Sequence, residues 1–127
     1  MDRAEKVAVL DRFFAAIQAA DIAVVESIYH PECVIWHNND NLTQGVEDNL
    51  RTLGWVSKNI KELSYDDIRR TPMESGQVVQ EHVLHGVAPN GKSVAVVACI
   101  VFSFSEDERI TRLEEYLDSA QVAVISA

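Results

Sequence analysis

Two stretches carry a titratable group where an apolar row needs an explanation. In the run from Val78 to Leu84, the alternate positions Val78, Gln80, His82 and Leu84 share one face of a strand, and later Leu113, Glu115 and Leu117 share another. Each is an apolar row interrupted by a polar group. Burying an ionisable side chain is costly unless it is paired, so an imidazole and a carboxylate aimed into one concavity should contact each other or a ligand. The expected pair is His82 with Glu115. An imidazole with a pKa near ~6.5 is a natural general base at neutral pH, and a neighbouring carboxylate orients it and stabilises its charged form. A third place of interest is Ile35-Trp36-His37-Asn38-Asn39-Asp40, which begins as a strand and ends as a polar loop. It leaves an aromatic, an imidazole and amides at a strand end.

Structural roles compete with chemical ones at each of these positions. His82 also fits a hydrogen-bonded core histidine, Glu115 the buried partner of an arginine, and His37 a residue that closes the mouth of a pocket. Trp36 alternates with His37 and fits core or interface packing. His30, in a turn, and His85, on the opposite strand face from His82, are expected to be exposed. Two His and one Glu formally suffice for zinc or iron. No local ligand motif supports that, so no metal and no cofactor are expected. A nucleophile elbow, a phosphate-cradling glycine loop and a CxxC pair are all missing from the sequence.

The elements that must hold these groups follow from periodicity. From Asp2 to Ala20, Val7, Leu10, Phe14 and Ile17 recur at helical spacing, and Asp2 with Glu5 has the spacing of a capping box. Asp21 reads as the N-cap of a second helix, reaching Ile28 or Tyr29 and stopped by His30-Pro31. Cys33 to His37 reads as a strand. After a polar loop from Asn38 to Gly45, apolar residues from Val46 to Leu63 return to helical spacing, which predicts a third helix over about Val46 to Lys61. Four strands follow: Tyr65 to Thr71, Gln77 to Gly86, Lys92 to Phe104 and Arg109 to Leu117. Their short turns, rich in Gly, Pro, Asn, Asp and Ser, predict antiparallel neighbours. Helices first and strands last indicate an α+β layer, with three helices on one face of a curved antiparallel sheet.

Both faces of Val94 to Phe104 are apolar. Three helices can cover only one, so a homodimer through the open sheet face is expected. The chain of 127 residues, 47% hydrophobic and 24% charged, suits a single domain over 1–127. A net charge of −9 argues against nucleic acid, whose phosphates such a surface repels. No apolar run is long enough for a bilayer, which needs roughly 18 residues. The first residues also lack the apolar core of a signal peptide. A cytoplasmic protein directed at a small apolar molecule is the expectation.

The element order, the motif from Phe13 to Asp21, the segment Tyr29-His30-Pro31-Glu32-Cys33-Val34-Ile35-Trp36-His37 and the ending from Ile110 to Asp118 together resemble the nuclear transport factor 2-like superfamily. Within it, the chain is most similar to the SnoaL-like and ketosteroid isomerase-like proteins. The resemblance implies a cone-shaped, cystatin-like α+β barrel enclosing a hydrophobic pocket, on a fold that serves many functions. Ketosteroid isomerase keeps its base at the position of His37, and limonene epoxide hydrolase a water-holding Asn, which makes His37 pocket-facing by analogy. The isomerase's oxyanion donors fall on Phe13 and Ile100, neither of which can donate. The hydrolase's Arg and Asp fall on Gln80 and His82, and its last acid on Glu115. What remains is closer to the His-plus-carboxylate chemistry of scytalone dehydratase. The resemblance thus implies a cofactor-independent lyase or isomerase, with His82, His37 and Glu115 catalytic and Trp36, Asn38, Phe13, Gln80 and Ile100 around the substrate. A non-catalytic binding or dimerisation domain and an epoxide-hydrolase-type enzyme are the alternatives.

Overall fold

Asp2 starts helix α1 (Arg3–Gln18) by accepting the amide of Glu5 at 2.9 Å, as its spacing predicts, in a computed structural model that describes residues 1–126. Helix α1 buries Val9, Leu10, Phe13, Phe14, Ala16 and Ile17, a face wide enough to cover most of one side of a sheet. Asp21 caps α2 (Ile22–Ile28) through the amide of Val24. Then come β1 (Tyr29–His37), β2 (Leu42–Gln44), α3 (Val46–Asn59), β3 (Lys61–Pro72), β4 (Val78–Val87), β5 (Ser93–Phe104), β6 (Ile110–Leu117) and a short terminal helix α4 (Ser119–Ala123).

Several boundaries differ from the sequence expectation. Helix α3 stops at Asn59, and Lys61 already belongs to β3. Strand β1 begins at Tyr29 and contains Pro31. The register against β6 is irregular between Tyr29 and Val34, so the missing amide breaks no ladder bond. The loop after His37 contains β2, which pairs antiparallel with β1. The strand order is β2-β1-β6-β5-β4-β3, and the sheet does not close. The α+β class holds, but the sheet is mixed because β1 and β6 run parallel.

The main core lies between the helices and the inner sheet face. Phe13 meets Phe14, Tyr29 and Phe102 edge to face, with ring centroids 5.1, 5.4 and 6.1 Å apart. A second apolar cluster gathers Ala88, Val94 and Val96 with Leu84, Leu117, Val122 and Ile125. The terminal segment therefore caps one end of the inner face. Gly86 lets β4 pass close to the junction of α3 and β3: a Cβ there would lie 2.3 Å from a methyl of Ile60. On β5 the inner residues Val94, Val96, Ala98, Ile100 and Phe102 are buried. On the outer face Val97 remains 55% exposed, beside Tyr116 of β6 at 45%. Cys33 and Cys99 are free thiols, and no described helix is long and apolar enough to cross a membrane.

Candidate active site

One row of residues crosses five strands and organises the inner face. Arg70 of β3 stands opposite Gln80 of β4, Gln80 opposite Ile100 of β5, Ile100 opposite Glu115 of β6, and Glu115 opposite His37 of β1. Side chains opposite one another in adjacent strands are in reach, whereas those two strands away are not. Ile100 therefore separates two polar pairs. Glu115 Oε1 lies 3.0 Å from Nε2 of His37, at 18% and 20% side-chain exposure. On the other side, Gln80 accepts from Arg70 Nε at 2.8 Å, and its amide nitrogen is 2.9 Å from Nδ1 of His82.

His37, His82 and Glu115 border a single cavity of about 330 Å³ between α3, the inner sheet face and the terminal segment. Its walls are mostly apolar, with Leu53 and Val56 from α3, Leu84 and Val96 from the sheet, and Val122 and Ile125 from the cap. The three groups thus meet in one cavity, but the bonded pair is Glu115 with His37, not with His82 as the strand rows suggest. The other expected ligand contacts lie elsewhere. Phe13 and Ile100 are core residues, and Gln80 is fully buried behind His82. Trp36 packs on Tyr116, with centroids 5.3 Å apart, and donates to Asn41. Asn38 is occupied by the backbone of Leu117, accepting from its amide at 2.7 Å and donating to its carbonyl at 3.2 Å. None of these five borders the cavity. His85 pairs with Asp66 at 2.6 Å, and His30 accepts the amide of Glu32.

The two imidazoles are pushed in opposite directions. Burial alone lowers the pKa of His37, but the hydrogen bond and charge of Glu115, with the charge of Asp40, outweigh it and carry the value above the usual range. At His82 burial again lowers the value. The more distant Glu115 charge offsets only part of this and Arg70 adds to it, so the ring is held neutral.

Tyr65 is the site residue that sequence reasoning missed. It lines the cavity and packs edge to face on Phe14 and His82, at 4.7 and 5.1 Å between centroids. Burial first, and the charge of Glu115 second, raise its pKa, so the phenol keeps its proton. Its sequence signal is hidden by a bulge. Between the pairs Asp66–Val83 and Arg69–Glu81, β3 advances three residues (66 to 69) while β4 advances two (83 to 81). The extra residue, with Asp67 at φ 54°, reverses the parity of the strand. Tyr65 and Arg70, an odd number apart, therefore both face inward. On the opposite wall the polar groups satisfy one another: Tyr29 donates to Asn49 at 2.7 Å, Asn49 to Gln44 at 3.2 Å, and Gln44 to Thr52 at 3.3 Å. No buried polar side-chain atom among the described residues lacks a partner. His82 Nε2 and the Tyr65 hydroxyl make no protein hydrogen bond there, so both open on the cavity.

Residues 10–113 match the SnoaL-like domain family. No curated protein is a significant match to the sequence. Among solved structures, the chain is similar to a candidate polyketide cyclase from Xanthomonas campestris pv. campestris, at 20% identity over 94% of this chain and 98% of that one, with a TM-score of 0.79. It is also similar to a candidate isomerase from Bacillus subtilis, at 18% identity over 99% and 96% of the two chains, with a TM-score of 0.85. A nuclear transport factor 2-like protein from Burkholderia xenovorans aligns over 100% of this chain and 99% of its own, at 16% identity and a TM-score of 0.80. At these identities the likeness is one of fold.

Proposed function

Because the chain belongs to the SnoaL-like domain family, we propose that it is a small-molecule enzyme of the cyclase or isomerase type, moving a proton on a largely apolar, carbonyl-bearing compound. One observation supports this above the others. A His–carboxylate pair shares a largely apolar cavity with two polar atoms that have no partner among the described residues, His82 Nε2 and the Tyr65 hydroxyl. Titratable groups whose environments push their pKa values apart are how one site holds distinct proton-transfer roles near neutral pH.

In this mechanism Glu115 accepts the Nε2–H of His37, which leaves the lone pair on Nδ1. That nitrogen takes a proton from the carbon beside the carbonyl. The C–H electron pair forms the C=C bond of an enolate, and charge develops on oxygen, where the Tyr65 hydroxyl donates a hydrogen bond. The His37 imidazolium, stabilised by Glu115, then returns the proton. It goes to a different carbon in an isomerisation, to the new alkoxide once the enolate carbon has attacked a second carbonyl in a cyclisation, or to a hydroxyl that leaves as water in a dehydration. None of these steps uses a cofactor. A cavity of about 330 Å³ is at the small end of ligand sites and suits a compound of one or two rings. A second copy of the chain covering the outer face at Val97 and Tyr116 completes the proposal.

The test is solvent deuterium incorporation beside the carbonyl, followed by NMR over a panel of one- and two-ring ketones and enones. His37→Ala and Glu115→Gln should lower the rate by about 10² to 10⁴-fold, the range for a positioned general base. Saturable binding with no exchange above background would make the cavity a carrier site and the proposal wrong.

A further inference from the structure

Behind His82 runs a chain of side chains that ends at the protein surface. Asp11 of α1 pairs with Arg70 at 2.5 Å; Arg70 Nε donates to the Gln80 carbonyl oxygen at 2.8 Å; and the Gln80 amide nitrogen lies 2.9 Å from His82 Nδ1. A guanidinium has only donors, so it can face only the oxygen of a side-chain amide. Gln80 is fully buried and cannot turn without breaking that bond. Its NH₂ must then donate to His82, which makes Nδ1 the acceptor. In a neutral imidazole the proton is left on Nε2, the nitrogen that opens on the cavity.

We propose that Arg70 is a positioning residue that acts through Gln80 to lock His82 as the Nε2–H tautomer, so that His82 offers the ligand a hydrogen-bond donor and not a base. His82 and Tyr65 are then two donors on one side of the cavity, and the ligand atom between them is an acceptor such as a carbonyl or enolate oxygen. The other charged group near His82 is Glu115 of β6, which is bound to His37 and leaves Nδ1 of His82 to Gln80. The ligand assignment rests on the function proposed above, but the tautomer does not, and the two can fail separately.

The test needs no substrate. In the ¹⁵N-labelled full-length protein, long-range ¹H–¹⁵N correlations of the His82 ring at neutral pH should show Nδ1 unprotonated and Nε2 protonated. Arg70→Met should release Gln80 and give mixed or reversed ring signals, and Arg70→Lys should restore the parent pattern at least in part. Gln80→Glu should move the proton to Nδ1, because a carboxylate only accepts. If the parent protein shows a protonated Nδ1, or if a folded Arg70→Met keeps the single Nε2–H pattern, the proposal is overturned. Should Arg70→Met fail to fold, the parent spectrum and Gln80→Glu still decide it: a Gln80→Glu ring whose proton stays on Nε2 also overturns the lock.

Discussion

Glu115 Oε1 lies 3.0 Å from His37 Nε2 because β1 and β6 run parallel with these two residues at one register position. The contact explains why His37 binds its proton more tightly than a free imidazole, whereas burial, with the charge of Arg70, makes His82 in the same cavity bind its own more weakly.

Activity that uses His37 as a base requires the neutral ring, so kcat/KM should rise with pH along a limb centred above ~6.5, the ordinary imidazole value. Glu115→Gln removes the charge that raises it and leaves the burial that lowers it. The limb should then move to lower pH while the plateau falls. An NMR titration of His37 checks the shift without a substrate, and an unmoved midpoint would refute the pairing.

The same pair has a signature in stability. A folded-state pKa above the unfolded one gives stability that is fully present below ~6.5 and is lost as pH rises through the raised value. The melting-temperature gap between the parent and Glu115→Gln should therefore be larger near pH ~6 than near pH ~9.

His82 has the opposite sign. Its folded value is lowered, so its contribution is present above ~6.5 and is lost as pH falls toward the folded value. Urea unfolding should show the parent losing stability relative to His82→Gln between pH ~7.5 and ~5. A gap that stays constant with pH would mean that His82 is not held neutral.

Asn38→Ala should loosen the terminal cap, because Asn38 bonds both the amide and the carbonyl of Leu117. The expected cost is about 1 kcal/mol for the two exposed bonds. Faster amide hydrogen exchange at Leu117 and across α4 is the readout, together with weaker binding of any ligand that touches Val122 or Ile125.

Sedimentation at micromolar concentration should give a dimer, and Val97→Glu a monomer with an unchanged circular dichroism spectrum. Val97 is left 55% exposed by the described residues, and a buried unpaired carboxylate there would oppose association. A monomeric parent would remove the outer face as an interface.

Much of this was legible in the residues themselves. The helical spacing of Val7, Leu10, Phe14 and Ile17, the caps at Asp2 and Asp21, and the alternation along β4, β5 and β6 depend on near neighbours in the chain, so local periodicity yields the α+β order and the inward-facing rows. Those rows were enough to aim His82 and Glu115 at one cavity. The partners were decided elsewhere. Glu115 bonds His37 because a parallel register joins strands far apart in sequence, and Ile100, a residue with no polar atom to mark it, stands between Glu115 and the Gln80 behind His82. Tyr65 and Arg70 both face inward only because a one-residue bulge reverses the parity of β3. The side-chain period of a strand is two, so a single inserted residue exchanges its faces, and only the pairing with the next strand records where the insertion falls.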